Sequence, residues 1–227
     1  MSRIQAQEII FLIISSLVFL AVIYLVELVF MPNYWIKSAI KISLIALIVL
    51  LYSMLFKVSV KETIFFEKLH KPWIFLAIIA GVVALSLLIF FIFKNQIDLD
   101  SIRESMFAKE KLSKRNAVLV YVYIVFVNSF FEEAFFRGLL FGFFRRKGLK
   151  AVGYIVPNLL FSAYHVGIVA SWFNPFIFIL CISGLALAGA LLCFISDKFG
   201  SIKASWIMHG SANLVINGIG CYLIMSA

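Results

Sequence analysis

The sequence predicts an all-α fold, a polytopic transmembrane helix bundle of about seven (six to eight) membrane helices. Three observations predict it. Of the 227 residues, 64% are hydrophobic and only 14% are charged, with 25 phenylalanines; a soluble domain is nearer ~45–50% apolar and ~25% charged. Apolar runs long enough to cross a bilayer recur from one end of the chain to the other, and ~20 such residues suffice for one crossing. The formal net charge is +9, yet the basic residues gather just outside the apolar runs. That is the pattern of membrane topology and of contact with anionic headgroups. Nucleic-acid binding, which such a charge would suggest in a soluble protein, has no DNA- or RNA-binding motif behind it.

The elements follow in order. The first run, 9–30, comes after a single early basic residue, Arg3. It exceeds the ~7–15-residue apolar core of a signal peptide and no clear cleavage site follows, so it reads as a retained first membrane helix. The second, 38–56, is marginal. Its fully uncharged part is 42–56, so Lys37 and Lys41 are expected to snorkel to the interface at one end and Lys57 at the other. The third is 73–93. The connection "KNQIDLDSIRESMFAKEKLSKRN", 94–116, is the most polar segment. Ile97, Ile102, Met106 and Phe107 either line one face of an interfacial helix or belong to a solvated loop.

The fourth run is 117–144. The fifth is 151–171 and contains Pro157, which is expected to kink the helix or free a carbonyl. The sixth, 176–195, is rich in small residues. Gly184 with Ala188, and Ala186 with Ala190, have the spacing of close helix contact. The seventh is 202–225. The chain shows no internal repeat and no low-complexity linker. Its organisation reads as one integrated membrane domain, with 1–116 supplying three helices and the polar connection and 117–227 supplying the core that carries the chemistry. Cys181, Cys193 and Cys221 have no CxxC spacing and read as small buried hydrophobes.

Seven spans put Arg3, the 57–72 loop, "RRKGLK" at 145–150, Lys198 and Lys203 on one side. Lys37, Lys41, the 94–116 connection, "SWFNP" and the C-terminus fall on the other. The tight "RRKGLK" loop assigns its side to the cytoplasm; the basic 94–116 segment pulls the other way, though its acids largely offset its bases.

Polar residues inside the spans carry the functional signal. "SFFEEAFFRGLL", 129–140, sets Glu132, Glu133 and Arg137 among phenylalanine and leucine, where each charge costs at least ~2.5–3.5 kcal/mol on insertion scales. The fifth span carries "FSAYH", Phe161 to His165, and the seventh "HGSAN", His209 to Asn213. Residues four apart share a helix face, so Glu133 sits over Arg137, Phe161 over His165 and His209 over Asn213. Glu132 is turned ~100° from Glu133, so the two carboxylates need not share one task. Counting ~1.5 Å per residue from the 145–150 loop, Glu132 and His165 both lie roughly 20 Å deep. His209 follows Lys203 closely and is expected to be shallower unless its helix tilts or starts early.

Singly, these groups have plain readings. Glu133 with Arg137 fits a structural ion pair, His165 an interhelical hydrogen bond, and His209 with Asn213 interhelical glue. Glu27 fits the far interface. Two carboxylates, two imidazoles and an amide on three spans exceed what packing requires, and they supply a base, donors and metal-ligating atoms.

"EEAFFR", "FSAYH" and "HGSAN" match EExxxR, FxxxH and HxxxN, in that order on successive hydrophobic segments. The chain from about 117 to 213 thereby resembles the CPBP family of intramembrane proteases (CAAX proteases and bacteriocin-processing enzymes, also called Abi proteins). The first three spans carry none of this signature. The resemblance implies an intramembrane endopeptidase acting on a small peptide or a membrane-proximal protein segment. It further implies a role in bacteriocin or signalling-peptide processing or in self-immunity. By the same resemblance Glu132 and His165 activate water, His209 and Asn213 stabilise the oxyanion, Glu133 supports the site, and Arg137 holds it by charge pairing. No metal is the favoured expectation; the alternative is a zinc ion on Glu132, His165 and His209. Ser162 and Ser211 lie in the motifs without a partner that would mark a nucleophile. Two other classes stand beside the protease. One is a non-catalytic membrane partner, such as an immunity or regulatory protein. The other is a transporter built on a proton relay, against which the lack of an inverted repeat counts. The expected partners are a peptide or protein substrate and the lipid bilayer, with a membrane-protein partner under the non-catalytic reading and no nucleic acid. The expected location is a bacterial plasma membrane, crossed many times.

Overall fold

The computed structural model describes residues 3–69, 73–169 and 173–226. Seven helices in it are long and apolar enough to span a membrane: α1 (Arg3–Phe30), α2 (Tyr34–Phe56), α4 (Trp73–Gln96), α6 (Ala117–Arg146), α7 (Lys150–Val169), α8 (Pro175–Phe199) and α9 (Ile202–Met225). Two short helices, α3 (Val60–Ile64) and α5 (Leu99–Ala108), lie in the connections. No strand occurs among the described residues. The chain is an all-α, multi-pass membrane protein. The expected end of the fifth span at 171 falls outside the described residues.

Start signals come from short polar side chains. Asn33, Ser59, Asp98 and Asn174 each accept a backbone N–H from the first turn of the helix that follows, the ordinary N-cap arrangement. Pro175 sits at the start of α8, where its missing N–H removes no helical bond. Gly200, at φ +64°, closes α8 in the left-handed conformation, which glycine adopts without a Cβ penalty. Pro157 sits inside α7, which runs through it as one helix from Lys150 to Val169.

The core lies between α1, α2, α6 and α7. Phe19, Ile45, Tyr52, Phe135, Phe136, Leu139, Phe161 and Tyr164 form its buried centre. Rings meet at 4.7 Å between Phe19 and Phe135 and at 5.2 Å, edge to face, between Phe136 and Phe161, geometries that suit the aromatic quadrupole. The helix α4 packs on α9 and buries only Phe75; its exposed apolar residues, Leu76, Leu85, Leu88 and Phe91 among them, suit a lipid environment as apolar as the side chains themselves. On α8 the close-contact residue is Gly189, not the expected Gly184 and Ala188. A Cβ on Gly189 would stand 2.6 Å from Asn158 Oδ1 and 3.1 Å from Arg137 Nη2, whereas Gly184 has nothing within 4 Å. Gly189 belongs to neither spaced pair, Gly184 with Ala188 or Ala186 with Ala190; the side chains of α6 and α7 opposite α8 decide which position comes close.

The 94–116 connection holds the helix α5, with Ile102 buried and Met106 packed inward; Phe107 faces out. It is tied to the bundle through Lys37. That ammonium lies 2.6 Å from Glu27 Oε2 and 2.8 Å from Glu110 Oε1. Lys37 and Lys41 therefore turn inward, contrary to the snorkelling expected of them, and Glu27 is half of an ion pair. Replacing Lys37 with methionine leaves two carboxylates facing each other. Because both keep some exposure, the expected loss is about 1–3 kcal/mol, below the ~3–5 kcal/mol of a fully buried broken pair. Thermal unfolding in micelles and faster proteolysis within 97–116 measure it.

The basic 145–150 loop is also paired. Arg145 and Lys150 hold Asp197 at 2.5 and 3.0 Å, and Lys147 holds the buried Glu8 at 2.6 Å.

Candidate active site

The three polar motifs converge on α6. That helix does not keep one pitch. It widens to π-helical turns at Ile124–Asn128 and Ala134–Phe141, on either side of the α-helical Ser129–Glu133. Such turns re-aim side chains and often mark functional positions. Here they set Glu132 and Glu133 on different neighbours, as the ~100° offset requires.

Glu133 faces α9 and its own helix. Its Oε1 accepts from Arg137 Nη1 at 2.9 Å and from His209 Nδ1 at 2.9 Å. Neither Glu133 nor Arg137 has any exposed surface. The guanidinium also reaches Gly189 O at 3.4 Å and lies over the Phe161 ring, 4.3 Å from its centroid. A planar, weakly hydrated cation suits that stacked position better than a lysine would.

Glu132 faces α2, α7 and α9. Its Oε1 accepts from Asn128 Nδ2 at 2.7 Å, from Tyr164 OH at 2.9 Å and from Lys41 Nζ at 3.2 Å. Its Oε2 lies 3.7 Å from His209 Nε2. His209 thus stands between the two carboxylates, one on each ring nitrogen. It is not shallow. The close approach of α9 to α6 at Gly210, where a Cβ would be 3.0 Å from Val125 O, carries it to the depth of the glutamates.

His165 lies on α7 one residue beyond Tyr164. Its Nδ1 is 2.8 Å from Phe161 O. A carbonyl only accepts, so Nδ1 carries the hydrogen, and the neutral ring then has its lone pair on Nε2. Its ring packs on Phe161 at 4.5 Å and Tyr164 at 4.6 Å, and Phe161 in turn meets His209 at 5.9 Å. Asn213 stands one turn from His209 on α9, with its Oδ1 accepting from Asn217 Nδ2 at 3.3 Å. That leaves the Asn213 amide N–H₂ as donor. The structure thus brings Glu132, Glu133, Arg137 and His209 into direct contact, sets His165 beside them through Phe161, and holds Asn213 on the same face as His209.

Lys41, Asn128 and Tyr164 complete the surroundings of Glu132 and were not among the residues expected there. Tyr164 is the residue before His165 in "FSAYH", at a position that the FxxxH pattern leaves open. Of the two motif serines, Ser211 Oγ donates to Ile207 O at 2.7 Å, and Ser162 Oγ is buried without a partner among the described residues.

Among the described residues no three His, Cys, Asp or Glu groups are placed to hold one ion. One oxygen of Glu132 already faces an ammonium, which a cation at that oxygen would have to displace.

Two buried carboxylates, a buried and a half-buried imidazole and a half-buried amide, grouped inside a multi-pass helical bundle, are the kinds of groups that can move protons and stabilise developing negative charge. A family model described as Type II CAAX prenyl endopeptidase Rce1-like matches residues 114–215, a segment that contains every motif residue above. Over this segment the chain is similar to the CAAX-protease family, and the match supports an intramembrane CAAX-type protease. A search of curated proteins and a search of solved structures gave no match.

Proposed function

We propose that the protein is an intramembrane endopeptidase that hydrolyses a peptide bond of a small peptide or of a membrane-proximal protein segment. The observation that carries this reading is the placement of Glu132, Glu133 and His209 together, deep among apolar helices, within the family-matched segment. Such a cluster is costly to bury without a task.

In the proposed mechanism Glu132 and His165 activate the attacking water together: Glu132 Oε2 takes its proton, and His165 Nε2 accepts a hydrogen bond from its other O–H. The water O–H bond breaks as its oxygen bonds to the scissile carbonyl carbon, and the carbonyl π pair moves onto oxygen. His209 gives Nδ1–H to Glu133, and when protonated it offers Nε2–H to the oxyanion; the Asn213 amide is the second donor. Collapse of the intermediate returns a proton to the leaving nitrogen and expels it. Glu133, fixed by Arg137, sets the orientation of the His209 ring. Bacteriocin or signalling-peptide processing, self-immunity, a bacterial plasma membrane and a cytoplasmic 145–150 loop belong to the same proposal.

The test is a comparison of peptides and protein ends, by mass spectrometry, between cells that express wild type and cells that express Glu132→Ala in a deletion background. Products confined to wild type support proteolysis. Identical profiles, with a phenotype of deletion that Glu132→Ala still rescues, make the chain a non-catalytic membrane partner.

The reading is metal-independent. Exhaustive dialysis of the purified protein against a chelator is expected to leave the rate within about twofold, because proton transfer by the side chains themselves supplies the ~10²–10⁴-fold typical of general acid–base catalysis. Stoichiometric zinc in active protein, with loss of activity on its removal, contradicts it.

A further inference from the structure

Three helices meet at one oxygen atom. Lys41 on α2 lies 3.2 Å from Glu132 Oε1 and 2.8 Å from Tyr164 OH. Tyr164 on α7 passes its own hydroxyl hydrogen to the same Oε1 at 2.9 Å. Asn128, a turn before Glu132 on α6, adds its amide at 2.7 Å. Three donors thus converge on Oε1, while among the described residues the short polar approach to Oε2 is that of His209 Nε2 at 3.7 Å.

Packing alone gives no reason for this asymmetry. The Tyr164 ring is already held by Phe19 at 5.7 Å, Phe136 at 6.0 Å and His165 at 4.6 Å. An apolar side chain at position 41 would fill its space without desolvating an ammonium. Lys41 is instead 12% exposed and directed inward. Its charge faces the one carboxylate that the mechanism uses, not the structural Glu133–Arg137 pair. A carboxylate pinned through one oxygen loses rotation about its last bond, so its other oxygen keeps a fixed direction.

We propose that Lys41 and Tyr164 are positioning residues that act through Glu132, holding Oε1 so that Oε2 is the oxygen presented to the attacking water. The inference rests on Glu132 being a group that takes the water proton. Lys41 keeps its own proton throughout; the proton transferred is that of water, which passes to Oε2 as the C–O bond forms.

The experiment uses the full-length protein in phosphatidylethanolamine–phosphatidylglycerol vesicles. The probe is a quenched fluorescent peptide that spans a cut found in wild-type cells. Variants are Lys41→Met, Lys41→Arg and Tyr164→Phe, with Glu132→Gln alongside. Lys41→Met and Tyr164→Phe are expected to lower kcat by ~10–100-fold, the scale of a misplaced catalytic group, with KM within threefold of wild type. Lys41→Arg, which keeps the charge, recovers most of kcat. A Tyr164→Phe enzyme with wild-type kcat overturns the inference, as does a loss confined to KM. If Lys41→Met does not fold, Tyr164→Phe decides alone, since it removes one hydroxyl and keeps the ring. Glu132→Gln separates the two levels. Should it be inactive while Lys41→Met and Tyr164→Phe keep kcat, only the positioning roles fall. Should Glu132→Gln be as active as wild type, or no wild-type cut exist, the hydrolytic reading falls and the positioning roles with it.

Discussion

Arg137→Leu is expected to cost about 3–5 kcal/mol, the loss seen when one member of a fully buried ion pair is removed. Arg137 and Glu133 are both fully buried and 2.9 Å apart. Leucine would fill part of the volume, yet it would leave the Glu133 carboxylate in hydrocarbon with His209 as its recorded side-chain partner. The stacking on Phe161 would go as well. The variant should therefore unfold at lower temperature in micelles and accumulate poorly in the membrane. Glu133→Gln/Arg137→Leu is expected to recover part of this loss, because no orphaned charge remains. Equal stabilities for Arg137→Leu and wild type would show that the pair is not what holds α6 against α8 and α9.

The second large effect is catalytic. Glu132→Gln is expected to lower the hydrolysis rate by ~10²–10⁴-fold, the usual contribution of a positioned acid or base, with a smaller loss of stability than Arg137→Leu, because Lys41 loses its carboxylate but keeps some exposure. The physical basis is the number of donors on Oε1. Asn128, Tyr164 and Lys41 all point hydrogens at that oxygen, and a glutamine carbonyl can accept them in its place. What glutamine cannot do is take a proton from water. A folded variant that melts only modestly lower, with lost activity, is the signature; lost activity with a collapsed melting temperature would instead mark Glu132 as structural.

The two variants separate what the sequence makes legible from what it hides. The spans were readable because hydropathy is a sum over many residues, and each of the seven helices lies over an expected apolar run. The pairing of Glu133 with Arg137 was readable because both sit on one helix, four residues apart. Lys41 was not. Hydropathy starts the second span at 38, which leaves Lys41 near an interface. The Asn33 side chain, bonded to Ile36 N, starts the helix at Tyr34 and carries Lys41 two turns inward. An N-cap is one hydrogen bond and leaves almost no trace in an apolar average.

The depth of His209 turns on a related condition. Counting residues from the basic loop assumes parallel helices of one pitch. The π-helical turns of α6 and the contact at Gly210 alter both. The choice of Gly189 over Gly184 on α8 also depends on which helix lies opposite, and spacing within one helix cannot supply that. The chemistry-bearing residues could be recognised from one helix at a time, whereas their supports come from other helices.

The most direct test of the central claim is a cleavage reaction run in H₂¹⁸O. The purified protein in vesicles is mixed with a peptide spanning a cut found in wild-type cells, and the products are weighed by mass spectrometry. The account predicts one ¹⁸O in the new carboxyl end, at a rate that Glu132→Gln lowers by ~10²-fold or more. Intact peptide with wild type, or labelled product formed equally fast by Glu132→Gln, would contradict it.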